Sequence, residues 1–90
     1  MGAKRPTSIE VAYAILCRTK RPMTPKELVE LGFSKHGLVM KGMTPDATLN
    51  ANFINEIKRR RRDGREQRFV RVRPGHWGLV QFLGRYYHVD

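Results

Sequence analysis

Thr48, Asn52 and Asn55 follow one another at helical spacing, and Lys58, Arg59 and Arg62 continue the same face. These side chains suit the reading and gripping of a duplex. Asparagine pairs bidentately with adenine and arginine with guanine, while a threonine or alanine methyl, as at Ala51, meets the thymine methyl. Thr48, Asn52 and Asn55 are therefore the expected readers of base edges, with Lys58, Arg59 and Arg62 along the phosphates. Thr44 before them and Arg65, Arg71, Arg73 and His76 after them complete the expected DNA-binding set. The plainer alternative is the solvated side of an amphipathic helix. Catalysis has little to stand on. His36, His76 and His88 are scattered without metal-ligand spacing, and Cys17 has no second cysteine to join. Glu27, Glu30 and Glu56 are accounted for by caps and helix surfaces. With no glycine-rich phosphate loop and no nucleophile motif, no enzyme activity, metal, cofactor or small-molecule substrate is expected.

The charge balance points the same way. Eighteen Lys and Arg stand against eight Asp and Glu, a formal net charge of +10. Nine of the eighteen are Lys58 to Arg62, Arg65, Arg68, Arg71 and Arg73. A cluster of one sign makes a directed field whose natural partner is a polyanion. Double-stranded DNA is the leading partner. RNA and an acidic protein surface are the alternatives, and a solubilising surface would more usually mix the signs. The arginine run can also serve as a localisation or nonspecific polyanion patch. Ninety residues make one domain, and a chain of that size buries roughly 60–65% of its unfolded surface. A lone cysteine fits a reducing compartment. No apolar run has the length of a membrane span, no secretory signal is visible, and Pro6 stands where a myristoylation motif needs Ser or Thr. An intracellular setting, cytoplasm and nucleoid or nucleus, is expected.

The elements that must hold these residues can be read from caps and periodicity. Thr7 and Glu10 form a capping-box pattern ahead of Ile9, Ala12, Ile15 and Leu16, and this helix gives out near Arg18 to Lys20. Thr24-Pro25-Lys26-Glu27 is a second box, with proline at the first helical position and Gly32 as a plausible stop. Leu38-Val39-Met40, between Gly37 and Gly42, predicts a short strand able to pair with a later hairpin. Thr44-Pro45-Asp46 starts the third helix. Its stripe of Leu49, Phe53 and Ile57 spans about 80° of the helix surface. Two strands, Gln67 to Arg73 and Trp77 to Leu83, follow around a tip at Pro74-Gly75-His76. Phe69, Arg71 and Arg73 share one face of this hairpin and Val70 and Val72 the other; the sequence does not say which meets the core. Trp77 is either a stacking or a packing residue.

The reading is an α+β winged helix-turn-helix: three helices, a short strand after the second, and a C-terminal two-stranded wing. Residues 1–6 are expected as a basic arm, 7–83 as the domain and 84–90 as a C-terminal extension. Within it, Val11-Ala12 with Ile15-Leu16, Pro22 to Leu28, Thr44 to Ala51, and Arg68 to Val72 with Pro74-Gly75 and Leu79 stand in a telling order. In these pieces the chain resembles the HARE helix-turn-helix family. That winged helix module occurs in Asx-like chromatin proteins, some restriction endonucleases and the delta subunit of bacterial RNA polymerase. The resemblance implies a nucleic-acid-binding or assembly module, such as a small transcription or chromatin-type regulator or a targeting module. The chain departs from the pattern in a short segment after the second helix and in the long arginine tail of the third.

Overall fold

The computed structural model describes residues 7–40 and 42–87. The basic arm expected over residues 1–6 and the last three residues of the expected extension lie outside them. The elements run α1 (Ser8–Thr19), α2 (Pro25–Lys35), α3 (Pro45–Arg62), β1 (Phe69–Arg73) and β2 (His76–Leu79), then one 3-10 turn over Val80–Phe82. Three helices followed by an antiparallel hairpin make the winged helix form of the α+β class.

Local chemistry starts the first two helices. The Thr7 hydroxyl accepts from the Glu10 N–H at 3.1 Å. Thr24 and Glu27 close a full capping box, each side chain accepting from the other residue's backbone N–H at 3.2 and 3.1 Å. The Thr24 N–H holds the Glu27 carboxyl below its ordinary value of 4.5 against the opposing effect of burial, and the Thr24 hydroxyl and Arg21 add to the lowering. The third start differs from expectation. Thr44 makes no side-chain cap; instead its carbonyl accepts from both the N–H and the hydroxyl of Thr48.

Two further expectations are corrected. Gly32 does not stop α2 but lies buried inside it, because Leu38 packs where a side chain would go: a Cβ on Gly32 would come within 2.6 Å of Leu38 Cδ2. The helix ends three residues later, with the N–H groups of His36 and Leu38 both donated to the Gly32 carbonyl and Gly37 at φ +66°. The strand expected at Leu38 to Met40 is absent for the same reason. Leu38 is committed to closing α2, and no strand forms there among the described residues. The hairpin takes its third partner from the turn between α1 and α2. Met23 and Trp77 exchange backbone hydrogen bonds of 2.9 and 2.8 Å.

The strands are shorter than expected, and β1 pairs with β2 in the register Phe69↔Leu79, Val70↔Gly78, Arg71↔Trp77, Arg73↔His76. Phe69, wholly buried, settles which wing face meets the core. Beyond the 3-10 turn the chain folds back. Tyr87, within the stretch read as an extension, is buried, and its hydroxyl accepts the Leu79 N–H at 3.0 Å. Burial raises the Tyr87 phenol above its ordinary value of 10.0. The core joins Ile15 and Leu16 of α1, Leu28 of α2, Leu49 and Phe53 of α3, and Phe69, Trp77 and Leu79 of the hairpin. Among the described residues no helix is long and apolar enough to cross a membrane.

Gly78 lies under the Tyr87 ring, where a Cβ would sit 2.5 Å from a ring carbon. Gly78→Ala is therefore expected to cost about 1–3 kcal/mol, read as a lowered thermal midpoint. Because the folded state lowers the Glu27 pKa, its contribution is present above 4.5 and is lost as pH falls through that value and below it. Acid titrations of stability should accordingly be shallower for Glu27→Gln than for the parent chain.

Candidate nucleic-acid interface

Burying Leu49 and Phe53 decides which side of α3 faces water. Thr48, Ala51, Asn55, Lys58, Arg59 and Arg62 are all exposed and fall within an arc of about 100°. Along this stripe the chemistry changes from hydroxyl, methyl and amide in the N-terminal half to cations in the C-terminal half. Thr44 lies at its head, exposed. The basic end also complements the negative end of the helix dipole.

Asn52 stands at the edge of the stripe and is partly covered. Its amide donates to the Ser8 hydroxyl at 3.0 Å, which ties α3 to the start of α1. Here a groove of about 400 Å³ opens between the two helices, lined in part by Ser8, Asn52, Asn55, Arg59 and Arg68. The helical projection places both asparagines outward; crossing by α1 separates them into one that braces the fold and one left free. No periodicity within α3 could have shown this.

The arginine run divides similarly. Glu56, expected on the helix surface, is only 8% exposed. Its Oε1 accepts from Arg60 Nε at 3.2 Å and from Arg68 at the entry to β1. Arg60 also donates to the Glu66 carbonyl at 3.1 Å. Arg60 and Arg68 are thus spent on a buried carboxylate, and Arg68 lies 5.1 Å over the Tyr13 ring as well. Lys58, Arg59 and Arg65 are exposed without a carboxylate within 4.0 Å among the described residues, and Arg62 reaches only its exposed neighbour Asp63, at 3.4 Å.

In the hairpin, Arg71 lies over Trp77 with the guanidinium carbon 5.1 Å from the ring centroid, and Trp77 donates its indole N–H to Asn50 of α3 at 3.0 Å. Trp77 is a packing residue, 3% exposed. Arg73 is exposed beside the turn at Pro74-Gly75. His76 belongs to β2, and its Nδ1 lies 3.0 Å from the Pro74 carbonyl. Contributions that sequence reading missed are those of Ser8, Asn50 and Arg68, each set by contacts between distant segments. Among the described residues, no three His, Cys, Asp or Glu side chains converge as metal ligands would.

A helix-turn-helix whose third helix carries an exposed polar-to-basic stripe beside a basic hairpin is the architecture of a DNA-binding winged helix domain. The chain belongs to the HARE-HTH family, described as the ASXL and restriction endonuclease HTH domain, whose model matches residues 7–82. Neither a curated protein nor a solved structure matches the chain.

The division of the arginine run predicts opposite phenotypes for neighbours. Arg60→Ala is expected to cost about 1–2 kcal/mol of stability, whereas Arg59→Ala should stay within about 0.5 kcal/mol. Denaturant midpoints for the two variants check this directly.

Proposed function

We propose that this domain binds double-stranded DNA with α3 in the major groove and the basic hairpin along the backbone, as the DNA-engaging part of a transcription or chromatin-type regulator or of a targeting module. The observation that carries this reading is the α3 stripe. It is continuous and exposed and has no Asp or Glu within it, and its uncharged hydrogen-bonding residues stand apart from its cations. A major groove about 12 Å wide admits one helix. With the N-terminal half of α3 against the bases, Thr48 and Asn55 approach base edges while Asn52 acts from the groove edge. Lys58, Arg59 and Arg62 then run out over the phosphates, joined by Arg65 and by Arg71, Arg73 and His76 of the hairpin.

The glutamate at position 56 supports the same division of labour. Its one carboxylate is shared by the two arginines that hold the fold; among the described cations of the stripe only Arg62 meets a carboxylate, that of its exposed neighbour Asp63. An apolar floor or a deep pocket is not needed for such a partner. Affinity comes from charge, and preference from a few amide and methyl contacts.

Fluorescence anisotropy with a mixed-sequence duplex two helical turns long, a hairpin RNA and a single strand tests the proposal. Five neutralised phosphates would give log K against log salt a slope of about −4 to −5. The quadruple Arg59, Arg62, Arg71 and Arg73→Ala variant should lose most of that slope and bind the duplex at least tenfold more weakly. A flat salt dependence, or tighter binding to the RNA than to the duplex, contradicts the proposal.

A further inference from the structure

We infer that Trp77 is a positioning residue for the wing cation Arg71, holding its guanidinium over the indole and, through Asn50, at a fixed distance from the reading stripe of α3; this rests on the DNA-binding reading above.

The contacts leave the indole little freedom. Trp77 is held by both backbone hydrogen bonds to Met23, packs on Phe53 with ring centroids 4.9 Å apart, and gives its N–H to Asn50 Oδ1. A buried indole has one polar atom to satisfy, and its acceptor here is a side chain of α3. Rotating the ring would break that bond. The orientation of the ring is therefore referred to α3 and not only to the hairpin.

Arg71 sits directly opposite Trp77 in the β ladder, with its guanidinium 5.1 Å from the ring. A guanidinium placed over an aromatic face gains a cation–π contact without using any of its N–H donors. That contact and a forked hydrogen bond to a phosphate are thus compatible, where a lysine ammonium could offer only a point charge. Arg68 supplies the internal contrast. It also lies over aromatic rings, 5.1 Å from Tyr13 and 5.6 Å from Phe69, yet its Nη2 donates to Glu56. Among the described residues Arg71 has no carboxylate within 4.0 Å. Over the same kind of surface, one arginine is paired within the fold and the other is presented to solvent.

The test is a double-variant cycle on duplex binding. Trp77→Phe keeps a ring and removes the N–H; Asn50→Ala removes the acceptor from a half-buried helix position and leaves the hairpin sequence intact. Each is measured with and without Arg71→Ala, at a temperature where circular dichroism shows every variant folded. Arg71→Ala should weaken binding roughly three- to tenfold and flatten the salt slope by about 0.9. Trp77→Phe and Asn50→Ala should each produce part of both changes, and neither should add anything once Arg71 is gone. If Trp77→Phe fails to fold, Asn50→Ala carries the same cycle alone. Equal losses in both backgrounds, or lower melting points with affinity and slope untouched, would make Trp77 a core residue and nothing more. Absence of duplex binding by the parent chain would remove the functional reading, and this inference with it; normal parent binding with an uncoupled cycle removes only the inference.

Discussion

Phe53 meets Phe69 at 4.8 Å and Trp77 at 4.9 Å between ring centroids, and all three rings are buried. Through these contacts α3 is held against both strands of the hairpin, so that the helix and the wing behave as one surface. Removing a buried phenylalanine side chain costs about 3–5 kcal/mol, against a total stability of about 5–15 kcal/mol for a typical domain. The exposed stripe and the hairpin beside it depend on this junction. It sets which side of α3 meets water, and it brings Asn50 within reach of the indole N–H and Glu56 within reach of Arg68.

An excess of positive charge would work against a small fold if every cation were simply placed on the surface. The domain sorts its cations by what they touch. Arg60 and Arg68 surround a buried carboxylate whose charge would be costly alone. Arg71 lies on an indole. Lys58, Arg59 and Arg62 occupy the outer face of the last turns of α3, where the helix dipole favours them. The latter cations are exposed, as are Arg65 and Arg73.

Locally determined features were legible in the sequence. The box at Thr24 and Glu27, the stripe of Leu49 and Phe53, and the turn at Pro74-Gly75 are each written within a few residues, and the motifs resembling the HARE family cover the span that its model matches. Features made by distant segments were not. Met23 joins the sheet because Trp77 comes to it, while Leu38, in an apolar run that reads as a strand, is drawn to the gap at Gly32. Glu56 reads as a surface residue until β1 delivers Arg68. Asn52 and Asn55 look equivalent on a helical projection until Ser8 of α1 arrives beside one of them. Periodicity reports the faces of an element, and the partner that covers a face is set by the crossing of other elements.

Amide chemical-shift mapping of the labelled chain against a mixed-sequence duplex shows which face of the domain the nucleic acid meets. Binding through α3 and the wing should place the largest changes along Thr48, Asn55, Lys58, Arg59 and Arg62 and onto Arg71 and Arg73, with Ile15, Leu31 and Lys35 on the α1–α2 side unmoved. Changes centred on the α1–α2 side, with the α3 stripe silent, would contradict it.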